Sequence, residues 1–129
     1  SFLGNRDRKQ KNIHLLRYAD VILMAAEAAN ELGNAGESAM LINMIRQRAG
    51  LADIIASSQP SMRETVYHER RIELAMEHDR WFDLIRTGRA AQVMQAIKPN
   101  FIPGKNELLP IPSLQIALSG GKLTQNNGY

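Results

Sequence analysis

The residues best able to do chemistry lie between positions 68 and 80. His68, Glu69, Arg70 and Arg71 run directly into Glu73, Glu77, Asp79 and Arg80. On a helix Glu69, Glu73 and Glu77 recur at i, i+4 and i+8, with Arg70 on the same side. Carboxylates grouped in this way can exchange protons with a substrate or hold a divalent cation. The arginines set among them favour the plainer outcome, an ion-paired helix face that serves the architecture. If that face is buried, every pair must be hydrogen-bonded, because a stranded charge costs several kcal/mol. No residue here is assigned a catalytic role.

Other chemistries find less support. His14, His68 and His78 have no metal-ligand spacing, and none belongs to a His-Glu-x-x-His pattern. The chain has no cysteine, so disulfides, thiolate metal sites and a thiol nucleophile are ruled out within it. No serine sits in a Gly-x-Ser-x-Gly elbow. Gly104-Lys105 and Gly120-Gly121 read as isolated turns, not as a phosphate-cradling loop. No metal and no cofactor is expected, and the chain is not read as an enzyme. The aromatics Tyr67, Trp81, Phe82, Phe101 and Tyr129 raise sugar stacking, since the C–H face of a sugar ring packs on an exposed aromatic ring. Trp81 and Phe82 are neighbours and would point about 100° apart on a helix, so they make no flat platform. With Leu84 and Ile85 beside them they read as a core cluster.

The elements that must carry these residues are helices. The chain has 129 residues, 44% hydrophobic and 22% charged, enough for one domain with a core. Between Leu15 and Leu32 the polar residues Arg17, Asp20, Glu27 and Glu31 fall in one narrow stripe, and alanines crowd much of the rest. A helix with so little polar surface is normally covered on several sides. Gly33 and Gly36 supply a stop and a turn. A second helix is expected from about Glu37 to Arg48, with Met40, Leu41, Met44 and Ile45 as its buried face and Gly50 after its end. The two form an antiparallel hairpin of roughly 34 residues, the tetratricopeptide period. Ser61 and Glu64 form a candidate capping box for a third helix, Met62 to about Glu77. Thr87-Gly88 breaks the next segment, and Ala90–Ile97 offers a short helix before Pro99. Prolines then cluster at 99, 103, 110 and 112. The expectation is an all-α chain of tetratricopeptide-like hairpins, with a helical body over about 12–98 and an irregular, packed, Pro-rich tail over about 99–129.

The net charge of +3 owes much to Arg6, Arg8, Lys9 and Lys11; elsewhere the arginines alternate with acids. That interleaving is not a phosphate-tracking stripe, and no nucleic-acid partner is expected. The longest apolar run, Val21–Ala26, is far short of the roughly 20 residues a membrane span needs. Any membrane attachment would lie before Ser1.

Five blocks, in order, carry a family resemblance. They are Tyr18-Ala-Asp20 continuing to Leu32, Asn43–Leu51, Glu69–Glu77, Arg80-Trp-Phe-Asp-Leu84, and the closing pair of Leu109-Pro-Ile-Pro112 with Leu123–Tyr129. Together they resemble the C-terminal part of the SusD/RagB family of outer-membrane nutrient-binding lipoproteins, over most of residues 12–129. One departure is His78-Asp79, where the family usually has Gly before the Arg-Trp-Phe-Asp block. The resemblance implies a C-terminal helical piece, residues 1–129, of a longer protein held at the outer-membrane surface by an upstream lipid anchor. It implies non-catalytic capture of a nutrient such as an oligosaccharide, delivered to a SusC-like TonB-dependent transporter. Residues 15–50 are then the candidates for transporter contact. Ligand contacts are expected upstream of this region, and none is carried onto these residues. The alternative is a tetratricopeptide-like protein–protein scaffold with no carbohydrate role.

Overall fold

The computed structural model describes residues 15–129, and all structural statements below concern those residues. The basic run at 6–11, His14 and the start of the helical body near residue 12 lie outside them. The described chain is all-α, with six helices and no strand: α1 (Tyr18–Glu31), α2 (Ala35–Arg48), α3 (Gln59–Glu73), α4 (Arg80–Arg86), α5 (Ala90–Ile97) and α6 (Ser113–Leu118). They fall into two compact units, Ser1–Leu74 and Ala75–Tyr129. No helix is long and apolar enough to cross a membrane.

In the first unit α1 and α2 form the expected antiparallel hairpin. Ala26 meets Ala39 and Ile42, while Ala19, Ile22 and Leu23 meet Ile45 at the other end. The link between the helices is tight. Gly33 takes φ +85°, a left-handed value that closes the end of α1, and the Asn34 N–H donates back to the Ala29 carbonyl at 2.8 Å. Met62 and Val66 of α3 complete the core beside Ala26 and Ile42. Asn30 lies against Gln59, Glu31 against Arg63 and Arg17 against Glu73, so α3 runs antiparallel to α1. It is therefore parallel to α2.

Several expectations are corrected. The first helix begins at Tyr18, because Arg17 is extended (φ −114°, ψ 152°), which leaves Leu15 and Leu16 exposed before it. The buried face of α2 is Ser38, Ala39, Ile42 and Ile45. Met40 and Met44 are exposed and Leu41 is half-buried. The two candidate stripes lie close on the helix, and only the position of α1 and α3 decides between them. The third helix is capped at Ser58, not Ser61, because Pro60 occupies its first turn, where a fixed φ and a missing N–H cost nothing. It ends at Glu73, so Glu77 is not on the helix with Glu69 and Glu73.

The second unit is built from shorter pieces. Thr87 Oγ1 donates to the Asp83 carbonyl at 2.6 Å, and the Arg89 N–H to the Leu84 carbonyl at 2.9 Å, which ends α4 as the Thr87-Gly88 signal indicated. Trp81 is half-buried, edge-on to Phe101 with ring centroids 6.4 Å apart and planes at 70°. Phe101 and Leu84 are buried, but Phe82 is 68% exposed and does not belong to the core cluster. The Pro-rich tail carries the additional helix α6 and is stitched by side chains. Gln125 Oε1 accepts from the Ile111 N–H at 2.7 Å, and its Nε2 donates to the Ile111 carbonyl at 2.9 Å. Asn126 Nδ2 donates to the Leu109 carbonyl at 2.6 Å, and the Tyr129 hydroxyl to that of Leu108 at 3.0 Å.

His78, at the place where the family usually has Gly, has φ +69°. That region is strained for a residue with a Cβ, though histidine tolerates it better than a branched residue. His78→Gly should raise stability by up to about 1 kcal/mol, since relief of the left-handed strain outweighs the added freedom of the unfolded chain. His78→Val should lower it by more than about 1 kcal/mol. A second pair tests the corrected face of α2. Ile42→Ala, at a fully buried position, should cost about 2–5 kcal/mol, and Met44→Ala within about 0.5 kcal/mol of nothing. Denaturant unfolding of the full-length protein measures all four.

Candidate functional site

The charged run from 68 to 80 begins inside the first unit, as a set of ion pairs across three helices. Glu73 on α3 accepts from Arg17 at 2.9 Å and from Arg48 at 2.6 and 2.7 Å; Arg17 also donates to the Glu73 carbonyl at 2.8 Å. Arg70 lies 2.7 Å from Asp20 of α1. Glu69 pairs with Arg46 of α2, whose Nε also donates to the Ala52 carbonyl at 2.7 Å. Glu69 and Arg70 are buried, and the Glu73 side chain is 11% exposed. Each carboxylate on α3 thus faces an arginine from another helix. The arrangement leaves no carboxylate pair to share a proton, and among the described residues no three His, Asp or Glu come together as metal ligands. The ion-paired reading of this face is the one the structure supports, with Asp20, Arg17, Arg46 and Arg48 as partners that the local spacing did not reveal.

A further pair closes the other end of α1. Arg63 donates to both Glu31 oxygens at 2.5 and 2.6 Å, and these bonds hold the Glu31 carboxyl below the usual carboxylate range. A depressed carboxylate pKa contributes stability above its unfolded value, and the contribution is lost as pH falls through the folded one. The pair is open to solvent, so its contribution is small.

The described surface feature most like a docking site lies on the outer side of α2. Asn43 Nδ2 donates to the Ile54 carbonyl at 3.0 Å, and its Oδ1 accepts from the Ile54 N–H at 2.8 Å. Gln47 Nε2 lies 3.0 Å from both Asp53 oxygens. With Arg46 on Ala52, residues 43, 46 and 47 lay the extended segment 52–54 along the helix. Between that segment and Met40 and Met44 lies an open groove of about 410 Å³. Its wall is a mixture of thioether, amide and carboxylate, suited to contact and not to bond chemistry. The two methionines were expected inside; their exposure follows from the helix face α2 turns to α1 and α3. The aromatics weighed for sugar stacking do not gather there. Tyr67 packs partly buried against the core of the first unit. In the second unit Trp81 is committed to Phe101, and the ring of Tyr129 lies 4.7 Å under the Lys105 ammonium.

Comparison with known proteins agrees with this geometry. The sequence model of the SusD family matches residues 4–129. SusD-like protein P2 of Formosa agariphila is 32% identical over 142 residues, covering 98% of this chain and 28% of that protein. SusD-like protein P38 of the same organism is 39% identical over 95 residues, covering 67% of this chain and 19% of its own. Among solved structures, a SusD homologue from Bacteroides thetaiotaomicron superposes with a TM-score of 0.80 at 31% identity, over 89% of this chain and 26% of its own. Surface glycan-binding protein A from the same organism gives 0.75 at 32% identity, over 91% and 25%. The chain belongs to the SusD/RagB family. It spans about a quarter of the length of the relatives it matches.

The ion-pair layer yields a direct test. Arg70→Ala should cost about 3–5 kcal/mol, because Asp20 is left charged in a mostly buried place. Replacing both, as Asp20→Leu with Arg70→Met, should recover most of that loss, since an apolar pair of similar size is often neutral. Urea unfolding of the full-length variants gives both numbers.

Proposed function

We propose that this chain is the helical C-terminal part of a non-catalytic, outer-membrane surface protein that captures a glycan and passes it to a SusC-like TonB-dependent transporter. The observation that carries the reading is membership of the SusD family, with a surface glycan-binding protein among its structural neighbours. The physical picture agrees. Charged groups that could have worked on a substrate are consumed in holding helices together, and no activated nucleophile stands beside a base among the described residues. Binding and hand-over need neither. The protein is attached to the membrane by a lipid upstream of these residues, and no helix described here needs to enter a bilayer. Within residues 15–50, the groove beside Met40 and Met44 is the surface we assign to the transporter.

Glycan contacts lie outside these residues in this reading, because the rings of Trp81 and Tyr129 already have partners. Affinity electrophoresis of the full-length protein through gels containing soluble polysaccharides tests it. The full-length protein should be slowed by at least one glycan, and Trp81→Ala and Phe82→Ala should be slowed equally. Loss of retardation in a folded Trp81 variant would move the glycan site into this region. No retardation by any glycan would favour the tetratricopeptide-like scaffold.

A further inference from the structure

Helix α1 divides into three lengthwise sectors. At about 100° per residue, Ala19, Ile22, Leu23, Ala26, Ala29 and Asn30 form the buried sector against α2 and α3. Asp20, Glu27 and Glu31 form a narrow polar one. The third sector, roughly 120° wide, holds Tyr18, Val21, Met24, Ala25, Ala28 and Leu32 at its end. All six are exposed, Tyr18 at 73% and Leu32 at 80%. No charged residue interrupts them.

The spacing within this sector is regular. Positions 18, 21, 25, 28 and 32 alternate steps of three and four, the seam along which one helix packs on another. Large side chains stand at both ends and two alanines in the middle, so an approaching helix meets a shallow saddle. A helix apolar on two of its three sides is normally covered on both.

We infer that this face is covered by a helix from another part of the same polypeptide, in the portion that lies before residue 1. Three observations choose this occupant. The relatives and structures that match the chain are about four times its length, so most of such a polypeptide lies elsewhere. Residues 1–14 are poorly suited to the role, because Arg6, Asp7, Arg8, Lys9 and Lys11 leave only Phe2, Leu3 and Ile13 as large apolar groups. A second copy is disfavoured by area. A 14-residue helix is roughly 21 Å long and presents a strip about 10 Å wide, on the order of 200 Å². Stable association between separate chains takes about 800 Å² from each partner. A tethered helix has no such requirement, because it is already held at high effective concentration. The inference rests on family membership and is independent of which ligand the protein binds.

Thiol accessibility in the full-length protein tests it, with the protein purified alone and carrying no other cysteine. Ala25→Cys and Val21→Cys place a thiol within the seam, each with a minimal change of volume. Glu37→Cys, on the exposed start of α2, is the reference. A maleimide should modify both seam thiols at least roughly 100-fold more slowly than the reference, since labelling then waits on local opening. The protection should be unchanged on dilution. Labelling within about threefold of the reference at both seam positions would overturn the inference, as the face would be open. Protection that disappears on dilution would overturn it in favour of a second copy. Val21→Cys, at the better-tolerated rim, decides if Ala25→Cys perturbs folding.

Discussion

The first unit depends on how its third helix is held. The α1–α2 hairpin has its own apolar seam, but α3 is polar along most of its length and contributes only Met62 and Val66 to the fully buried core. Its position is set instead by Glu69, Arg70 and Glu73, which reach three different partners on the other two helices. Apolar contact is tolerant of sliding; these pairs are not. A shift of one turn would strand several charges at once in places with little water, and each would cost more than a lost contact. The layer therefore contributes chiefly to register, and the hydrophobic contacts supply the net stability.

This also explains where the sequence could be read and where it could not. The all-α class, the α1–α2 hairpin and Ala90–Ile97 were visible because turn residues and helical periodicity are local signals. The ion-paired character of the Glu69 face was visible from the arginines interleaved with it. Its partners were not, since Arg17 and Asp20 lie about fifty residues away in sequence and no local rule links them. The orientation of α2 failed for a related reason. Met40 and Met44 are more hydrophobic than Ser38 and Ala39, yet the small residues are inside, where helices approach closely. Hydrophobicity scales order transfer free energy and not available space. At the start of α3, Pro60 was a stronger signal than the capping box at Ser61, and it placed the cap three residues earlier.

The candidate site was legible mainly as a set of exclusions. Spacing argued against a metal centre and against a nucleophile, and the structure showed how the remaining carboxylates are used. The groove beside Met40 and Met44 could not be anticipated, because one of its walls is an extended segment held by Asn43, Arg46 and Gln47. Three side chains at i, i+3 and i+4 of a helix here serve as clamps for backbone. Nothing in the composition of a polar helix face distinguishes that role from simple solvation.

The clamp in the second unit has a consequence for how the chain can vary. Pro110 and Pro112 have no N–H, so Ile111 alone among these three residues offers both a donor and an acceptor, and Gln125 takes both. Everything between them, including α6, is a loop whose ends are fixed by a single amide. Lengthening a flexible loop is inexpensive once its ends are pinned, about 0.6 kcal/mol for each doubling. Residues 113–124 are thus the stretch in which insertions and deletions are most easily absorbed, a natural site for a new epitope or peptide graft. Ile111 and Gln125 mark the boundary that such an insertion must respect.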